Sequence, residues 1–182
     1  MAPLHAAMLP STDALERLAR NSRVPLWLPW PLPAGWLVTG AQWAGDDRSG
    51  PVATVIACSG PNPLPEAADG DRTADLLLVA EQPGIGLGAR LAGLDDVDPG
   101  ERAAVGRPSL RLCVAGHDSP LWGVEVGDAA AYVGEAAGVW LWVIAWPLPA
   151  AAVLLERFEL RDLRDPGHVL DLRFGALSPR MA

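Results

Sequence analysis

The sequence predicts a single α+β domain built mainly on an antiparallel β-sheet with few short helices. Three observations carry this. Short apolar runs with β-branched or aromatic residues recur along the chain, separated by Gly-, Pro- and Asp-rich turns. The joints between them are too short for the crossover helices of a parallel sheet. At 182 residues, half of them hydrophobic, the chain is long enough for one sizeable core.

In chain order, residues 1–10 carry no periodic pattern and are expected to be a flexible N-terminus, with the domain occupying 11–182. Ser11-Thr12-Asp13 opens a helix, and Asp13 with Glu16 fits a capping box. Leu15, Leu18 and Ala19 give it an apolar face, and Asn21-Ser22 can end it. Four prolines between Val24 and Gly35 forbid a helix and favour an extended, polyproline-like segment. Strands are expected over 36–43 and 52–58, joined by the Asp46-Asp47-Arg48-Ser49-Gly50 turn. Residues 59–74 form a loop, followed by a buried strand over 75–81. Further strands are expected at 110–115, 121–126, 129–133 and 139–146, then a short helix at 150–156. Two last strands, 158–163 and 169–172, flank a turn at Asp165-Pro166-Gly167.

Composition excludes several functions. All fourteen basic residues are arginine, so Schiff-base and P-loop lysine chemistry are impossible. The missing lysine reflects GC-rich coding. A net charge of −8 without a basic stripe speaks against a nucleic-acid partner. The two cysteines, Cys58 and Cys113, lie in apolar strand-like runs and are read as free thiols. No signal-peptide pattern opens the chain, which points to the cytoplasm. Residues 136–155 are uninterrupted by charge and reach the length of about 20 residues that spans a bilayer. Pro147 and Pro149 break any helix there, and Trp140 and Trp142 alternate as on one strand face. A buried strand is therefore expected, with no membrane span.

The eight tryptophans form two clusters, Trp27, Trp30, Trp36 and Trp43, then Trp122, Trp140, Trp142 and Trp146. Trp-Pro-Leu-Pro-Ala occurs in each, at 30–34 and 146–150. Such clusters mark either core walls or the lining of a site. Trp27, Trp30 and Trp122 are the candidates for an interaction surface.

Candidate polar sites follow from local pattern. Gly84, Gly86 and Gly88, in Gly-Ile-Gly-Leu-Gly-Ala after a strand, match the loose form of a dinucleotide loop whose amides approach phosphate. The long following helix and a second strand ending in an acid are missing, so a plain glycine turn competes with that reading. Asp46 and Asp47 are expected to cap the hairpin turn, with Arg48 free to bind an anion. Asp95, Asp96, Asp98 and Glu101 form an acidic loop without EF-hand spacing. His117-Asp118-Ser119 reads as a turn rather than a triad, which needs its members apart in sequence. His5, His117 and His168 lack ligand-like spacing, so no metal is expected and no cofactor is implied. Glu135 borders the most hydrophobic run, where a perturbed acid often has a task. No residue is singled out as catalytic.

The strings Pro-Trp-Pro-Leu-Pro-Ala-Gly-Trp (29–36), Ala-Gly-Asp-Asp-Arg-Ser-Gly (44–50), Ala-Cys-Ser-Gly-Pro-Asn-Pro-Leu (57–64), Leu-Leu-Val-Ala-Glu-Gln-Pro-Gly-Ile-Gly-Leu-Gly-Ala-Arg (77–90), Gly-Glu-Ala-Ala-Gly-Val-Trp-Leu-Trp (134–142) and Gly-Ala-Leu-Ser-Pro-Arg (175–180) resemble an uncharacterised family of actinobacterial proteins. The resemblance covers about residues 11–182, and members often carry the label "phosphotransacetylase family". Many begin with a cysteine-rich, zinc-ribbon-like segment that has no counterpart here, so no zinc role carries over. The resemblance implies a bacterial cytoplasmic protein of unknown function and transfers no catalytic residue. The leading expectation is a non-catalytic binding or interaction module, with an unknown protein or small-molecule partner. The alternative is a small enzyme or nucleotide- or anion-binding protein using the Gly84–Gly88 loop.

Overall fold

The computed structural model describes residues 2–64, 72–95, 98–99, 106–166 and 171–181. Helix α1 (Thr12–Asn21) starts where Ser11, in extended conformation, accepts the Ala14 N–H on its side chain. The cap is thus Ser11, and Asp13 sits in the first turn, where its charge suits the helix dipole. Among the described residues nine strands follow: β1 (Trp27–Trp30), β2 (Leu37–Asp46), β3 (Gly50–Pro61), β4 (Thr73–Glu81), β5 (Leu110–Val114), β6 (His117–Val124), β7 (Ala130–Ala136), β8 (Val139–Trp146) and β9 (Glu159–Asp162). A five-residue helix α2 (Leu87–Leu91) follows β4, and a 3-10 helix, Leu148–Leu155, follows β8.

The strands form one sheet in the order β1-β9-β5-β6-β7-β8-β4-β3-β2. Its strand pairs are antiparallel except β5 with β9. β6 turns the corner: its first half pairs with β5 and its second half with β7. β1 also packs across onto β3 and β4, so the sheet curls into a half-barrel around its own core.

The proline-rich segment departs from the expected polyproline form. Residues 27–30 make a strand because β1 is an edge strand, paired on one side with β9, where Pro29 is tolerated. His117-Asp118-Ser119 lies in β6 rather than in a turn. The turn is Ala115-Gly116, both with positive φ, and it brings β6 back along β5. Residues 4–8, expected to be loose, bridge to the outer edge of β2 through Leu4–Ala44 and Met8–Ala41. The tail covers the rest of that edge: the Val38 N–H donates to Arg173 O, and the Ser178 N–H to Thr39 O. Both chain ends thus blunt an edge strand that would otherwise offer free backbone groups. Residues 65–71 of the expected loop, and the start of the expected strand at 169–172, lie outside the described residues.

Directly opposed residues in an antiparallel ladder share a face, and this sorts the tryptophans. Trp27 and Trp36 are buried in the concave core, with Trp30 and Trp43 packed against it. Trp142 and Trp146 are buried on the other face, with Trp140 against them. Trp122 joins that face through the row Trp122–Val133–Trp142–Val79. Each cluster belongs to one face of the sheet, and each Trp-Pro-Leu-Pro-Ala copy ends a strand in a cis Trp–Pro bond.

Candidate functional site

The most developed polar site lies at the end of β4. One row crosses the sheet there: Ala53, Glu81, Trp140 and Glu135, on β3, β4, β8 and β7. Glu81 is fully buried, with no accessible side chain surface. Its carboxylate accepts the Leu87 N–H at 2.5 Å and the Gly88 N–H at 3.2 Å, both from the start of α2. Burial raises its pKa from 4.5 to about 7; the two amides and the neighbouring Trp142 indole oppose the rise, and the Asp98 charge adds to it. The Trp142 N–H lies near the carboxylate without reaching hydrogen-bond geometry. Neither it nor the Trp140 N–H finds an acceptor among the described residues.

The glycine loop folds over this acid. Gly86 takes the left-handed conformation at φ 76° immediately before α2. Gly88 lies flat on Trp142: a Cβ there would overlap the indole ring. The Gly84 N–H is taken by Asp98 Oδ1 at 2.8 Å. The amides of Gly84, Leu87 and Gly88, which a phosphate would need, therefore face the chain's own carboxylates.

The Asp46–Arg48 turn lies at the same end of the sheet, because the Gln82 N–H donates to Val52 O beside it. Asp46 accepts the Arg48 and Ser49 N–H groups, which hold its pKa below the usual carboxylate range. Asp47 and the Arg48 side chain are exposed. Asp47 lies 3.9 Å from His5, whose ring stacks on Trp43 at 3.4 Å between centroids. Glu135 is exposed on β7, in the row of Glu81 but two strands away.

Trp27 is 1% exposed and belongs to the core, which corrects its place among surface anchors: β1 turns it into the half-barrel. Trp30 is half-buried, with the Arg161 guanidinium 5.9 Å over its ring. Trp122 is half-buried and donates to Gly106 O. These three do not form one patch: Trp27 and Trp30 serve the concave side and Trp122 the opposite face.

Two residues that sequence reasoning passed over organise polar structure. Glu81 was legible only as a strand end. Asp75 on β4 accepts the Ser59 hydroxyl at 2.6 Å and the Ser178 hydroxyl at 3.0 Å, with Arg180 Nε 3.7 Å away. Arg180 also lies 5.1 Å over the Trp146 ring, so this cluster clips the tail to the sheet. Asp96 and Glu101 of the acidic loop, and His168, lie outside the described residues. Among the described residues no group of three His, Cys, Asp or Glu is placed to hold a metal ion, and no helix is long and apolar enough to cross a membrane.

The surface formed by the described residues includes a groove and a cavity. A shallow groove of about 700 Å³ runs between the β6–β7 connection and the 3-10 helix, lined by Val124, Glu125, Val126, Ala129, Tyr132 and Leu148 among others. Leu148 is 58% exposed and Leu155, on the same 3-10 helix, 80%. A smaller cavity of about 280 Å³ lies between α1 and the β2–β3 turn, with Arg17, Trp43 and Asp47 in its wall.

A family model described as a family of unknown function (DUF6758) matches residues 1–181. No curated protein and no solved structure matches the chain.

Proposed function

Since the chain belongs to this family of unknown function, we propose from its own geometry that it is a non-catalytic binding module that takes a polypeptide segment in the groove beside Tyr132 and Leu148. The observation that carries this is the groove itself. It is open, its lining mixes apolar with polar surface, and Leu148 at its edge remains in water. Tyr132 offers a flat apolar ring with one polar tip, a side chain suited to an interface anchor. Glu125 in the wall, and a net charge of −8, favour a partner whose apolar residues are flanked by basic ones. The polar groups that could run chemistry are engaged elsewhere: Glu81 and Asp46 by backbone amides, Asp75 by hydroxyls. The lysine-free composition and the family-like strings support an actinobacterial, cytoplasmic protein as part of the same reading.

The test is a photo-crosslinking residue placed at position 148, with the equally accessible Leu9 position as control. A discrete adduct from 148 alone supports the groove. Adducts from neither position, or the same adduct from both, refute it.

A second reading, a small-molecule or anion site, is favoured by the smaller cavity. An unpaired guanidinium, Arg17, and the Asp47 carboxylate share its wall, and no ion pair joins them among the described residues. A zwitterion with an apolar body would match that arrangement. Thermal shift with free amino acids tests it: a Tm rise lost in both Arg17→Gln and Asp47→Asn supports the site. No rise at millimolar ligand removes it.

A further inference from the structure

We propose that the groove takes its polypeptide as an extended strand added to the open edge of β6, with a basic residue beside Glu125 and apolar residues beside Val124 and Val126. This rests on the groove being the binding surface, and it names the conformation and the residue pattern of what fills it.

The open edge follows from where β5 begins. β5 starts at Leu110, opposite Leu121. Past that point β6 is paired with β7 alone: Trp122, Gly123 and Val124 stand opposite Val133, Tyr132 and Ala131. The Gly123 N–H points to the other side, where it donates to the Ser109 hydroxyl at 3.0 Å. Backbone groups alternate sides along a strand, so Glu125 turns its N–H and C=O the same way as Gly123, past the end of β5. Exposure alternates in step. Gly123, Glu125 and Gly127 are exposed, whereas Val124 and Val126 are half-buried, so the chain stays extended beyond its ladder with β7. Among the described residues no hydrogen bond engages the Glu125 N–H or C=O.

This edge forms one wall of the groove. Apart from Glu125 and Tyr132, the lining side chains are those of Gly, Val, Ala and Leu. The polar surface of the groove is therefore backbone, one carboxylate and one phenol. Strand addition uses such an arrangement: an unpaired edge binds the backbone of the guest, and alternate side chains select it. A helix bonds its own backbone groups internally and offers this edge nothing. In an added strand the guest residue opposite Glu125 shares its face, where the carboxylate favours Arg or Lys. Its two neighbours lie on the opposite face, beside Val124 and Val126. The net charge of −8 draws the same partner.

Selection of a displayed random peptide library on the whole chain tests this, with Val126→Arg as counter-screen. Strand addition predicts peptides that depend on Val126 and carry an apolar–basic–apolar alternation. Glu125→Gln removes the charge alone, whereas Glu125→Pro removes the charge and the N–H together. Affinity for the selected peptides should fall roughly threefold in the first and about tenfold or more in the second. Should Glu125→Pro not fold, N-methylation of alternate peptide amides decides: one register should abolish binding and the other should keep it. Helical spacing in the selected peptides, equal binding by the two Glu125 variants, or equal effects of the two methylation registers overturn strand addition and leave the groove standing. Selection of no peptide that depends on Val126 overturns both.

Discussion

Gly88 rests directly on the indole of Trp142, and no other residue fits between α2 and β8 at that point. The third glycine of the Gly-x-Gly-x-Gly string therefore serves close packing of a loop on a sheet. The flanking amides are turned onto Glu81. Gly88→Ala is expected to destabilise the protein by about 1–3 kcal/mol through overpacking. Urea unfolding measures it, and an unchanged midpoint would show that the ring yields freely.

Burial of Glu81 fixes the sign of a pH effect. Its pKa is 4.5 unfolded and about 7 folded, so the folded state holds the proton more tightly. The stabilisation is full below 4.5 and is lost as pH rises through about 7. The change is on the order of 3 kcal/mol. Chemical denaturation across this window should show falling stability, and Glu81→Gln should flatten the curve.

Asp75, which also accepts the Ser59 hydroxyl of β3, anchors the tail through Ser178 and Arg180. Asp75→Ala takes the acceptor from the Ser178 hydroxyl and leaves Ser59 with Thr39 Oγ1 alone, and should cost about 1–3 kcal/mol. Limited proteolysis should then cut within 171–181 at rates the wild-type protein resists. Asp75→Asn, which keeps an acceptor oxygen, should lose less.

The two thiols should differ sharply. Cys58 is buried, and burial pushes its pKa up to about 12, whereas Cys113 is exposed on β5. A thiol reagent at neutral pH should label one cysteine in the native protein and two after unfolding. Fast labelling of both in the native state would contradict the buried position of Cys58.

Much of the sheet was legible because its strands carry local signals. β8 is found at Val139–Trp146, where the alternating tryptophans placed it. β1 was missed because its proline reads as an extended coil, and only pairing with β9 makes it a strand. The facing of Trp27 was not legible either, since it depends on how far the sheet curls. The polar site was legible in part. The glycine loop stands out in sequence, but the acid it covers is fixed by the loop's return onto β4. Glu135 and Glu81 share one row. Position under α2, which no local pattern encodes, decides that Glu81 is the buried one.

The claim that matters most is that the groove beside Tyr132 is the binding surface. Val126→Arg and Leu148→Arg change that groove at half-buried or exposed positions, so the fold should persist. Quantitative co-purification from the native host, wild type against both variants, tests it directly. The account predicts a discrete co-purifying protein whose recovery falls by about tenfold or more in each variant, with unchanged circular dichroism. Equal recovery with wild type and variants would contradict it.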